Sequence, residues 1–68
     1  MQVDCEVYIS GKEGCQTKLS VDAHFVPHPG DGMDFFDRDK KFHSNIVKYI
    51  QWRYNNSNTL ESIKIFLT

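Results

Sequence analysis

Three histidines, two cysteines and a run of carboxylates are the side chains of this 68-residue chain that could hold a metal or activate a substrate. His24 and His28 have the H-x-x-x-H spacing that converges two imidazoles on a metal when both sit on a helix. Here Pro27 intervenes at the end of an alternating, strand-like run, and His24 falls on its outward side, so the spacing predicts two surface histidines. The segment Asp31-Gly32-Met33-Asp34-Phe35-Phe36-Asp37-Arg38-Asp39 is dense in acids but lacks the central glycine and terminal glutamate of a calcium loop. Gly30 and Gly32 have no Gly-Lys-Ser/Thr after them to cradle a phosphate, and no cysteine or serine has a histidine partner with sequence support for activation. The expectation is no catalytic residue, no metal ligand and no cofactor, hence a non-enzymatic protein.

Residues 2 to 10 alternate, with Val3, Cys5, Val7 and Ile9 on one face, and a second run places Leu19, Val21, Ala23 and Phe25 inward. A three-residue loop of Lys12, Glu13 and left-handed Gly14 would pair Val7 with Leu19 and Cys5 with Val21. Cys15 then lies at the turn, about 20 Å from Cys5 at strand rise, too far for a disulfide. Two free thiols point to a reducing, cytoplasmic setting, with Cys5 a core residue.

After Val26-Pro27, Pro29-Gly30 suits the central positions of a type II turn. Asp34, or alternatively Asp37, resembles a helix N-cap, and Asp34 to Arg38 and Asp37 to Lys41 have the spacing of helical ion pairs. From Phe42 to Tyr54 the residues Phe42, Ile46, Val47, Tyr49, Ile50 and Tyr54 fall within one arc at about 100° per residue, which predicts a one-sided helix. It would start at Asp34 and stop at Asn55-Asn56-Ser57-Asn58. Leu60 to Leu67 then alternates Ile63, Ile65 and Leu67 inward. The predicted fold is α+β: one β-β-α-β domain over residues 1–68, a three-stranded antiparallel sheet of order 2-1-3 with one helix on one face, placement of the last strand beside the second being left open.

Such a short chain leaves little room for a deep cleft. No run is apolar enough to span a membrane, and the first residues lack the pattern of a secretory signal. The net charge of -1 conceals +4 over residues 38 to 53 and -5 over the remainder, so the predicted helix is basic on an acidic body. On that helix Trp52 leaves the apolar arc and joins a stripe with Lys48, Asn45 and Lys41, matching the composition of interface anchors. Met33 would point outward from the loop, and Phe35 and Phe36 are expected to join the core, with Phe36 the loop's other candidate contact. These residues predict a protein–protein interaction module, an adaptor or an inhibitor occupying a surface of a larger complex. Nucleic-acid binding through the basic helix is the alternative. Tyr8 and Phe66 with Lys18 and Lys64 suggest a base-stacking platform, but the aromatic signature of such domains is missing and Asp4, Glu6 and Asp22 share that face. Self-association through the edge strands, the second and third, is a further expectation.

Overall fold

The computed structural model describes residues 1–68 and contains no α-helix. Its strands are β1 (Gln2–Ile9), β2 (Thr17–Asp22), β3 (Gly32–Phe36), β4 (Phe42–Tyr54) and β5 (Leu60–Leu67), with a 3-10 turn at Ala23–Phe25. They form one five-stranded mixed sheet of order β2-β1-β5-β4-β3, in which only β1 and β5 run parallel. The sheet curls into a nearly closed barrel. Its two edges approach where the Arg38 N–H donates to the Gln16 carbonyl at 3.4 Å. The α+β expectation is therefore wrong: the fold is all-β, and the predicted helix is the longest strand.

The reason lies at Lys48. Val47 faces Leu67 and Tyr49 faces Phe66, leaving Lys48 as an extra residue in the ladder. That bulge shifts the period-2 alternation by one, so the inward residues run His43, Asn45, Val47 and then Ile50 and Trp52, while Phe42, Ile46 and Tyr49 point outward. The spacings 42-46-49 and 43-47-50-54 are those of a helix, although each is one face of a bulged strand. The arc read as one apolar stripe merges both faces. Composition sides with the strand, since Phe, Ile, Val, Tyr and Trp fit a pleated surface better than a helix.

With β4 extended, two hairpins reverse the chain and β5 lies beside β1 in parallel. It lies beside β1, one of the two placements the sequence left open, and runs parallel rather than antiparallel to it. The core comprises Val3, Cys5, Val7, Ile9, Val26, Phe35, Val47, Ile63, Ile65 and Leu67. Both alternating runs in β1 and β5 thus face inward as expected. The β1–β2 register is two residues from the predicted one, pairing Cys5 with Leu19 and Val7 with Thr17. An even offset keeps every side chain on its face. It arises because the loop is longer than three residues: Gly11 (φ 82°) and Gly14 (φ 75°) are both left-handed, and Gln16 N–H closes on the Val7 carbonyl at 2.7 Å. Both cysteines are free, Cys5 buried and Cys15 half-buried. Strand β2 ends earlier than predicted, where the Asp22 carboxylate accepts the His24 N–H at 2.9 Å, and Phe25 is exposed rather than inward.

Two hairpin turns share one device. Asp37 Oδ1 accepts the N–H of Asp39 (2.8 Å) and Lys41 (2.9 Å), and Lys40 takes φ 64°. Asn55 Oδ1 accepts the N–H of Ser57 (2.9 Å) and Thr59 (3.1 Å), and Asn58 takes φ 58°. The residues expected to begin and end a helix instead close hairpins at the two ends of β4, because an Asx side chain satisfies turn donors as well as helix donors. Asp34 caps nothing and accepts the Ser44 hydroxyl at 2.6 Å. The Pro29-Gly30 turn forms as predicted, with Gly30 at φ 96° and Asp31 N–H donating to the His28 carbonyl.

Candidate functional site

The barrel's outer face is laid out in rows fixed by the ladder register. One row carries Tyr8, Phe66 and Tyr49 from β1, β5 and β4. Their rings stack in succession, Tyr8 to Phe66 at 5.2 Å between centroids and Phe66 to Tyr49 at 4.4 Å, with planes within 17°. The next row sets Glu6 between Lys18 and Lys64, with Gln51 beyond. The Tyr8 hydroxyl donates to Glu6 at 2.7 Å, a bond that favours the neutral phenol and raises its pKa, and Lys64 Nζ lies 5.5 Å from the Tyr8 ring. On the other side of the aromatic row, Lys12 and Lys48 flank a hollow of about 310 Å³ floored by the three rings.

Further along β4 the outer face becomes apolar. Phe36 and Phe42, opposite each other in the β3–β4 ladder, make an edge-to-face pair at 5.5 Å and are 62% and 59% exposed. Ile46, across from Gly32, is 50% exposed because that glycine offers no side chain to cover it. Of the eight large apolar side chains left exposed, Phe42, Ile46, Tyr49, Trp52 and Tyr54 belong to β4, and Phe36 packs on Phe42.

The structure separates the residues singled out from sequence. The stripe of Trp52, Lys48, Asn45 and Lys41 was a helix face and dissolves with the helix. Lys41 sits in the β3–β4 turn, and Asn45 Nδ2 donates to the Thr68 carbonyl at 2.6 Å. Lys48 stands at the bulge beside the aromatic row. Trp52 lies opposite Ile63 and is 44% exposed. Met33 turns toward the core instead of outward, and the two phenylalanines part, Phe35 buried at 6% and Phe36 exposed. Strand alternation requires this split of neighbours. Of the named set, Phe36 and Lys48 join the outer face of β4. Phe42, Ile46 and Tyr49 were missed as surface residues because they had been read as core.

The arrangement that most resembles catalytic machinery is the bond from His43 Nε2 to Asp37 Oδ2 at 2.8 Å, both side chains largely covered. Asp37 is held below its ordinary pKa by that bond first, then by the Lys41 N–H. His43 stacks on Phe35 at 5.1 Å, and no hydroxyl or thiol bonds to it. The bond ties the β3–β4 turn to the first residues of β4. No group of three or more His, Cys, Asp or Glu is placed to share a metal, and no helix is long and apolar enough to cross a membrane. No protein-family model, curated protein or solved structure matches this chain, and what can be said of its site rests on the geometry of β4.

Proposed function

We propose that this chain is a small non-enzymatic binding module that docks on a partner protein through the outer face of β4, as an adaptor or as an inhibitor covering a surface of a larger complex. The observation that carries this reading is the run of exposed apolar side chains on that face, Phe42, Ile46 and Tyr49, with Phe36 packed on Phe42. Apolar side chains gathered on one face, rimmed here by Lys41, Lys48 and Arg53, are a mark of interaction surfaces, whereas isolated ones are ordinary. Aromatic anchors with flanking cations also match the composition of interface hot spots.

Nucleic-acid binding draws less support. Its basic helix does not exist, and the cations that would have lined it are spread from the β3–β4 turn to the far end of β4. The rings of Tyr8, Phe66 and Tyr49 stack on one another, so most of the faces a base would need are already used.

The test is affinity capture from the native host with the wild-type chain and a Phe42→Ser/Tyr49→Ser variant of unchanged circular dichroism, each with and without nuclease. A protein retained by the wild type at about 0.5 M salt, and at least tenfold depleted on the variant, is expected. A ligand lost with nuclease, or released steeply by salt as phosphate contacts are, would replace this reading with the nucleic-acid one.

A further inference from the structure

The second half of β4 has only one neighbour. On the β3 side, pairing ends at Val47, whose N–H and carbonyl bond Asp31 and Gly30. Beyond it, residues 48–54 pair with β5 alone, and no side-chain hydrogen bond reaches them. Gln51, Trp52, Arg53 and Tyr54 are all exposed and by themselves line a shallow groove of about 310 Å³. The result is an open strand edge of about 24 Å, at roughly 3.4 Å per residue, carrying unpaired backbone donors and acceptors. No proline or covering loop protects it, and the bulge at Lys48 and the charge of Lys48 and Arg53 are the devices it has against indiscriminate pairing.

We propose that a second copy of this chain occupies this edge, pairing β4 with β4 antiparallel about a two-fold axis at Gln51. The sequence of the edge is what selects this occupant. Gln51 is the midpoint of residues 48–54, so centring there pairs the whole open length. It also keeps the outer faces of both copies on the same side, because residues of like parity then oppose each other. In that register Ile50 meets Trp52 of the second copy on the inner side, covering the half-exposed indole. Arg53 meets Tyr49, so that this cation opposes a ring on the outer side, and Lys48, the bulge residue, opposes no cation. A parallel pairing would set Lys48 on Lys48 and Arg53 on Arg53. The two-fold partner completes a continuous β2-β1-β5-β4-β4-β5-β1-β2 sheet and is isologous, hence closed at two copies. It does not depend on the docking of a different protein on the outer face of β4.

The two-fold centre makes the proposal testable at one residue. Gln51 faces Lys64 within its own chain, so Gln51→Glu adds a favourable cross-strand pair to the monomer while setting two carboxylates against each other in the dimer. Sedimentation equilibrium of the wild type should show mass rising from the 7.9 kDa chain toward twice that value with concentration. Gln51→Glu should weaken the association at least tenfold with no loss of melting temperature in dilute solution. In a Cys15→Ser background, Gln51→Cys should form a symmetric disulfide under mild oxidation much faster than Lys48→Cys, whose thiol would lie at the end of the paired length, away from its own copy. A wild type that stays monomeric to about 1 mM, a Gln51→Glu chain that dimerises as tightly as the wild type, or equal cross-linking at both positions would overturn the proposal. Monomer at every concentration would leave the edge to an extended segment of a different protein.

Discussion

At the scale of single residues, Asp37 carries the clearest pH dependence. His43 and the N–H groups of Lys41 and Asp39 stabilise its charged form, so its folded pKa lies below the ordinary carboxylate value of about 3.9. A depressed folded pKa contributes stability that is fully present above the unfolded value and is lost as pH falls through the folded one. Below about pH 4, therefore, the urea midpoint of the wild type should fall faster than that of Asp37→Asn. The amide keeps an acceptor oxygen, as Asn55 does at the equivalent place in the other hairpin, but has no proton to gain. Some acid sensitivity should remain in the variant, because Asp22 is also held low, chiefly by the His24 N–H. Parallel profiles would mean the carboxylate's charge contributes nothing. Phe35 and Phe36 give a second residue-scale contrast. Truncating the buried ring in Phe35→Ala should cost about 3–5 kcal/mol, as much as so small a domain has to lose, and abolish the cooperative transition, whereas truncating its exposed neighbour in Phe36→Ala should cost about 0.5 kcal/mol or less, read from the denaturant midpoint. Equal losses would place both rings in the core, as the sequence alone suggested.

At the scale of elements, the bulge at Lys48 decides what β4 is. Without the extra residue, the strand beyond Val47 would have to turn Tyr49, Gln51 and Arg53 inward or slide against β5, and either choice buries polar groups or exposes Ile50. Deleting Lys48 should abolish cooperative melting in a domain with only about 3–5 kcal/mol to lose, while Lys48→Ala should leave the transition in place. A deletion that melts like the wild type would show that the register is not pinned there. The same bulge explains what could be read from the sequence. Val3 to Ile9 and Ile63 to Leu67 keep a strict two-residue period and were legible as strands, whereas the neighbour of the last strand was left between the first strand and the second. The Pro29-Gly30 turn was legible because glycine alone takes its left-handed position easily. In β4 the inserted residue turns two faces of a strand into a helical spacing, and the Asx residues at either end look like helix boundaries because turns and helix ends have the same unpaired donors. In β3, Phe35-Phe36 conceals the alternation because adjacent apolar residues occupy opposite faces. The site was partly legible for the same reason: Tyr8 and Phe66 lie on regular strands and were seen as an outward pair, whereas Tyr49, Phe42 and Ile46 lie on the misread one.

At the scale of the whole molecule, a domain this small divides its apolar side chains between a minimal core and a surface concentrated on one strand. β4 is the pivot of both. Its first half carries β3, its second half carries β5, its inner side closes the core with Val47, and its outer side holds the exposed rings. The central claim, that β4 is a strand with a buried side and a docking side, is tested most directly by charging two adjacent residues and measuring partner capture and melting together. Val47→Asp should fail to fold, because an unpaired carboxylate cannot be held in the core. Ile46→Asp should melt cooperatively within a few degrees of the wild type, roughly the shift that surface changes produce, and should reduce capture of the partner protein at least tenfold. If Ile46→Asp unfolds along with Val47→Asp, or folds and captures the partner in full, the outer face of β4 is not the docking surface described.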